Sequence, residues 1–296
     1  MRVKFWGVRG SIPSPGPRTV KYGGNTTCIE VETSDNQIII LDCGTGIFSL
    51  AQSLLKKKSP NNCSIFISHT HWDHIQGLPF FSPLFIAGNK INIFGSFDPL
   101  FQRSVKDIVN KQMEYCYFPV REAELKAEIQ YETLKEGQTV EIGSAKISTI
   151  LMNHSAINFG YKIEDQGKSI FFTGDHEPFY NIYSPKDDFY NEYEKLILER
   201  NHTIIDFARA VDLLVADSAY TTAEYKHKRS WGHGTFETCM AMAGKAGVKT
   251  LCFTHHEPLR SDDELDHISR NLKKHIQKTS PGFDNVIAYE GLEIIL

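Results

Sequence analysis

The stretch His69-Thr70-His71-Trp72-Asp73-His74 decides how the rest of this sequence is read. It sets three imidazoles and one carboxylate within six residues. Such a run is costly to leave without partners. In a tight loop its members can point different ways, so that His69 and His71 hold one ion while Asp73 and His74 reach a second. Imidazole nitrogen and carboxylate oxygen suit Zn²⁺ first, with Mn²⁺ or Fe²⁺ as alternatives. A solvated His-rich turn is the bland reading, and it is disfavoured because further ligand candidates recur at equivalent places downstream.

Those places are strand ends. Ser64-Ile65-Phe66-Ile67-Ser68 reads as a buried strand, and the histidine run begins at its C-terminal end. Upstream, Thr27 to Glu32 and Gln37 to Leu41 read as strands joined by a turn at Ser34-Asp35-Asn36, with Gly23-Gly24-Asn25 a sharp turn before them. A helix is expected from Ile47 to Lys57, stopped by Pro60-Asn61-Asn62. Downstream, strands over Lys146 to Leu151, Ser169 to Thr173, Asp212 to Ala216 and Thr250 to Thr254 lead into His154, Asp175, Asp217 and His255-His256. Helices are expected over Phe236 to Ala246 and Glu264 to Lys278, and a closing hairpin joins Ile287 to Tyr289 with Leu292 to Ile295 about Glu290-Gly291. Loops at the C-terminal ends of strands converge on one sheet edge, where α/β folds place their chemistry. His176-Glu177-Pro178 and His256-Glu257-Pro258 form a weak echo that hints at two related halves.

Composition bounds the answer. With 296 residues, 41% hydrophobic and 23% charged, the chain can bury a large core. A net charge of −4 offers no basic surface for a membrane or a long nucleic acid. No apolar run of about 18 residues predicts a membrane span. Met1 to Gly7 lacks the apolar centre of a signal peptide, so a cytoplasmic location is expected. Cys28, Cys43, Cys63, Cys116, Cys239 and Cys252 form no C-x-x-C pair and read as reduced, buried thiols. His202, His227, His267 and His275 sit in polar or helical context and read as surface histidines.

The H-x-H-x-D-H run resembles the signature of the metallo-β-lactamase superfamily, and the resemblance extends over nearly the whole chain. It implies an α/β fold, a four-layer αβ/βα sandwich of two facing mixed sheets flanked by helices. It implies one domain over residues 1–296 with an insertion at about 177–205. Asp42 resembles the family's strand-end aspartate, His154 the third ligand of the first metal, Asp175 the carboxylate shared by both, and His255 the last ligand of the second. The implied sets are His69, His71, His154 and Asp175 for one ion, and Asp73, His74, His255 and Asp175 for the other. His256 competes for the last position, but His255 follows Thr254 directly, as in the family pattern. Two divalent ions roughly 3.5–4 Å apart would activate a water lying between them as the nucleophile. Asp42 would orient a ligand imidazole.

Trp231-Gly232-His233-Gly234-Thr235 resembles the H-x-T motif of the superfamily's phosphodiesterase branch, which includes RNase Z. An imidazole placed there can hold a phosphate and protonate the leaving oxygen, and the following helix start adds amide donors. The bland reading is that His233 only caps or packs that helix. Asp73 and His233 are thus the expected catalytic residues. Asp217 is expected to orient His233, and Asn25 and His176 are candidates to touch substrate, with turn or packing roles as their alternatives. The stretches Phe5 to Pro13, Tyr22 to Cys28, Gly174 to Pro178 and Asp217 to Thr221 resemble RNase Z-like proteins described as cyclic-nucleotide phosphodiesterases or simply as metal-dependent hydrolases. From Glu177 to Arg200 three basic residues face six acidic ones, a net of −3, in an aromatic-rich stretch. That is a poor clamp for tRNA and a reasonable lid or dimer surface. The basic clusters Lys56-Lys57-Lys58 and Lys226-His227-Lys228-Arg229 read as solvated faces. The expected activity is therefore hydrolysis of a small phosphodiester, a 3',5'-cyclic nucleotide first, by a homodimer. An RNase Z-like RNA-processing nuclease and a non-catalytic, metal-stabilised sensor are the alternatives.

Overall fold

Two mixed seven-stranded sheets face each other. The computed structural model describes residues 1–56, 60–279 and 282–296, the side chains of 275–279 excepted. Lys57 and Lys58, part of an expected helix end and basic cluster, lie outside the described residues, as does the side chain of His275. The first sheet holds β1 (Arg2–Gly7), β2 (Cys28–Glu32), β3 (Ile38–Leu41), β4 (Cys63–Phe66), β5 (Lys90–Gly95) and β6 (Glu128–Thr133). The second holds β7 (Thr139–Ile142), β8 (Ala145–Met152), β9 (Asn158–Asp165), β10 (Lys168–Phe172), β11 (Leu213–Asp217), β12 (Thr250–Thr254) and β13 (Asp284–Ile287). The last strand, β14 (Glu293–Ile295), returns to the first sheet beside β1.

The sheets are built alike. In the first, β14-β1-β2-β3 are antiparallel neighbours and β3-β4-β5-β6 parallel ones. In the second, β7-β8-β9-β10 are antiparallel and β10-β11-β12-β13 parallel. Burial follows this division. Strands β3, β4 and β11 are buried along their whole length, as parallel strands covered on both faces must be. Strand β1 alternates, with Val3 and Phe5 buried.

Three apolar layers hold the sandwich. Phe5, Ile29, Leu41 and Phe66 of the first sheet meet Ile147, Tyr161, Phe172 and Val215 of the second between the sheets. Helices α1 (Gly46–Leu54) and α3 (Val105–Gln112) cover the outer face of the first sheet; α1 does so through Ile47, Leu50, Ala51 and Leu54, one stripe at helical spacing. Between them in sequence, the single turn α2 (Trp72–Ile75) carries part of the histidine run. Helices α4 (Tyr190–Phe207), α6 (Phe236–Ala246) and α7 (Asp262–Thr279) cover the second sheet, while the short α5 (Thr222–Tyr225) lies in the loop after β11. This is the expected four-layer sandwich.

The expected closing hairpin does not form. Residues before Glu290 pair with β12 and residues after it with β1, so the turn crosses from one sheet to the other. Its anchors lie in both halves: Ala288 N–H donates to Phe253 O at 2.8 Å and Gly291 N–H to Phe5 O at 2.8 Å. Glu290 accepts from Asn25 N and Nδ2 at 2.7 and 3.0 Å, which holds the crossing in place. Five of the six cysteines are buried and Cys116 is exposed; all are free thiols. No helix among the described residues is long and apolar enough to cross a membrane.

Candidate metal centre

Each strand of the parallel halves ends at the same edge of the sandwich. Asp42 follows β3, His69 follows β4, Asp175 follows β10, Asp217 ends β11 and His255 follows β12. His154 arrives from β8. The backbone turns sharply to present two of them: Asp42 and His255 stand at φ 62° and 59°, a region L residues rarely adopt.

The side chains form overlapping groups. Ligand atoms of His69, His71, His154 and Asp175 lie within 4.8 Å of one another, and so do those of Asp73, His74, Asp175 and His255. A third group joins Asp175, Asp217, His233 and His255 on the same criterion. Asp175 belongs to all three. Its Oδ2 lies 3.6 Å from His69 Nε2 and 3.8 Å from His154 Nε2. Its Oδ1 lies 3.2 Å from His74 Nε2 and 3.1 Å from His255 Nε2. The two oxygens of one carboxylate thus face different groups.

Hydrogen bonds fix which ring nitrogen is left free. Ser68 donates its N–H and hydroxyl to Asp42 at 2.6 and 2.8 Å, so His69 Nδ1 donates to the Ser68 hydroxyl at 3.1 Å. That leaves the lone pair of His69 Nε2 facing inward, buried and without a partner. His154 Nδ1 donates to Gly232 O at 3.0 Å, which turns the lone pair of its Nε2 toward His71 Nδ1, 3.1 Å away. His74 Nδ1 donates to Asp42 at 2.7 Å and aims Nε2 at Asp73 and Asp175. Ser11 N–H donates to Asp73 Oδ2 at 2.6 Å. Buried groups without partners are rare in folded proteins. Here His69 Nε2 is orphaned among nitrogen and carboxylate donors, and a divalent cation would satisfy that set.

The protonation states agree with this donor set. Burial first, and the neighbouring imidazoles after it, hold His69 well below the ordinary histidine range, and burial likewise lowers His71 and His154. These three imidazoles are therefore neutral, the form in which a histidine can ligate a metal. Burial works against a charge on His74 and His255, yet the facing carboxylates outweigh it and raise both. A cation held by the second group would displace those protons.

His233 comes from the loop before α6. Its Nδ1 donates to Asp217 Oδ2 at 2.9 Å and stands 3.7 Å from Asp175. Burial lowers its pKa, but the Asp217 and Asp175 carboxylates prevail and raise it to about 9. Gly232 makes room for this arrangement: a Cβ there would lie 2.3 Å from His154 Nδ1, and its φ is 86°. Gly10 is equally constrained, since a Cβ would stand 2.2 Å from the His255 ring. Helix α6 starts at Thr235, whose hydroxyl accepts from Thr238 N–H at 3.0 Å, so the helix is capped without His233.

Three candidates stand apart from the ligand groups. His256 turns away from its neighbour and donates Nε2 to Ala288 O at 2.8 Å; burial pushes its pKa down to about 3. Asn25 is committed to Glu290, a turn role. His176 donates its backbone N–H to Asp217 Oδ2 at 3.0 Å, while its ring belongs to none of the ligand groups and lines a cleft between α4 and α6. Two contributors were not read from sequence. Ser68 links Asp42 to His69. Glu177 accepts from Ser230 N–H and Gly232 N–H at 2.9 Å each, and from the Tyr225 hydroxyl, so it pins the loop that carries His233. The H-E-P echo was the available signal, since Glu257 flanks the same loop through Lys228 at 3.3 Å.

A four-layer sandwich with neutral imidazoles and carboxylates gathered at one edge defines a metal-dependent hydrolase. Residues 37–256 match the family described as Beta-lactamase superfamily domain, and the chain belongs to that family. Ribonuclease Z of Lactococcus lactis is 25% identical, over 86% of this chain and 88% of its own, which fits the RNase Z-like branch. The crystal structure of the metallo-β-lactamase fold protein YhfI from Bacillus subtilis superposes with a TM-score of 0.67 at 18% identity, covering 99% of this chain and 98% of that one. Unliganded yeast PDE1 gives a TM-score of 0.65 at 16% identity, covering 100% and 99%. Both structures share the fold.

Proposed function

We propose that the chain hydrolyses phosphodiesters at a centre holding two divalent ions, Zn²⁺ first. His69, His71, His154 and Asp175 would hold one ion, and Asp73, His74, His255 and Asp175 the other. The observation that carries this reading is Asp175, whose two oxygens face the two groups separately. When bound, such ions activate water near neutral pH and neutralise charge on a phosphoryl group. Asp42 and Ser68 hold the tautomers of His74 and His69 that leave Nε2 free to ligate. Asp217 holds His233 by Nδ1, so the Nε2 proton is available to a leaving oxygen. Expulsion of an alkoxide needs that proton, and this is why the reaction assigned is diester cleavage.

The substrate proposed is a small diester, a cyclic nucleotide first. A cavity of about 240 Å³ opens beside His154, bordered by Tyr180, Tyr193 and Gly232. Arg229 stacks on Tyr180 with its guanidinium 3.9 Å from the ring centre. That pair suits a base and a phosphate. The net −3 of residues 177–200 disfavours a long RNA beside it. Similarity to a curated Ribonuclease Z favours the second reading, RNA 3'-end processing.

A substrate panel separates the two. The metal-loaded chain is incubated with 3',5'-cyclic nucleotides, bis(p-nitrophenyl) phosphate and a tRNA precursor. Opening of the cyclic nucleotides with the precursor intact is the expected result. A shortened precursor with cyclic nucleotides intact assigns the nuclease reading instead. Metal-loaded protein inert to all three contradicts both.

A further inference from the structure

Helices α4 and α6 leave a cleft of about 210 Å³ on the outer face of the second sheet. No residue of the proposed ligand sets lines it. Leu198, Ile204 and Met242 supply apolar walls, and Thr238, Ala241, Met242 and Lys245 come from one face of α6 at helical spacing.

The polar groups of the cleft decide what it takes. Asn201 is engaged by Phe179, accepting from its N–H at 3.0 Å and donating to its C=O at 2.9 Å. The Thr238 hydroxyl accepts from Thr235 N–H at 2.9 Å and donates to Thr235 O at 3.0 Å. His176 is different. Its Nδ1 accepts from Asn153 N–H at 3.3 Å, which places the ring proton on Nε2. The residue is only 5% exposed and lines the cleft, and the hydrogen bond its ring makes among the described residues is the one at Nδ1. Lys245 brings an ammonium group to the rim without an ion pair among the described residues. The cleft therefore offers two donors, one of them cationic.

We infer that this cleft binds an apolar carboxylate, a short or medium-chain fatty acid by chemical class. The chain lies along Leu198, Ile204 and Met242, and the carboxylate accepts from His176 Nε2 and pairs with Lys245. The cleft adjoins the metal centre through His176, whose backbone N–H shares Asp217 Oδ2 with His233. An acid bound there touches His176, whose backbone N–H bonds the carboxylate that orients His233, without touching substrate.

Titration calorimetry of the metal-loaded full chain with sodium octanoate tests this, with 1-octanol as the neutral control. One octanoate per chain is expected, bound at least about fivefold more tightly than 1-octanol. Ala241→Trp fills the cleft from an exposed position of α6 and should weaken octanoate about tenfold or more, with hydrolysis unchanged. Lys245→Ala should weaken it roughly 2- to 5-fold. No binding to the native chain overturns the assignment. So does equal affinity in Ala241→Trp, which would place the carboxylate on the metals, and so does 1-octanol binding as tightly as octanoate. If Ala241→Trp does not fold, Lys245→Ala with undiminished affinity has the same force.

Discussion

Asp42 and His255 keep a left-handed backbone at φ 62° and 59°, which costs about 1–3 kcal/mol each for such residues. The sandwich holds them there because the chain must reverse direction as it leaves β3 and β12. His233 is held by Asp217 without capping α6, so its removal leaves the helix start intact. His233→Ala should lower turnover of bis(p-nitrophenyl) phosphate by ~10²–10⁴ while metal content is retained. Equal loss of metal would assign His233 to ligation. His256 gives a pH dependence of stability. Its folded pKa is about 3 against an ordinary value of 6.5, so between these the unfolded chain binds the extra proton. The stabilisation is present in full above pH 6.5 and is lost as pH falls toward 3. His256→Gln should therefore show a flatter decline of urea stability between about pH 7 and pH 5 than the native chain. The metal ligands are common to both proteins and cancel in the comparison. Parallel declines would contradict the assignment.

The elements were legible where the pattern is local. Phe236–Ala246 and Thr250–Thr254 have the ends expected from sequence, since a capped helix and a short apolar strand signal within their own residues. The 69–74 run was legible because its ligands are close in sequence. Ser68 and Glu177 were not, because their roles depend on contacts made only when distant loops meet. The expected terminal hairpin misled for a related reason: two strands flanking a Glu-Gly turn look alike whether they pair with each other or with different sheets. The loop from Thr221 to Gly232 depends on Glu177, which satisfies two of its backbone N–H groups and a tyrosine hydroxyl. Glu177→Gln removes one acceptor and sets an amide donor against an N–H. Urea unfolding should register a loss of about 1–3 kcal/mol. Turnover should fall more than KM rises, because His154 and His233 both leave this loop's frame. Native turnover in the variant would show that the loop is held by other contacts.

At the scale of the molecule, the metal centre sits where the two sheets meet. His69, His71, Asp73 and His74 come from the first sheet, and His154, Asp175 and His255 from the second. Ions held there would tie the halves together, and ligands that bind only the folded state raise its stability. Removal of metal by a chelator should lower the melting temperature by roughly 5–15 °C. An unchanged melting curve would mean that the sheets hold without ions. The fold class was legible because every candidate ligand followed a strand-like run; the substrate was not, because no residue outside the metal groups names it. The central claim is that Asp175 serves two ions at once. Elemental analysis of the Zn²⁺-loaded native chain and its His255→Ala variant, alongside hydrolysis of bis(p-nitrophenyl) phosphate, tests it most directly. About two ions per native chain, about one in the variant, and loss of hydrolysis with the second ion are the predicted results. One ion or fewer in the native chain, or full hydrolysis by the variant, would contradict it.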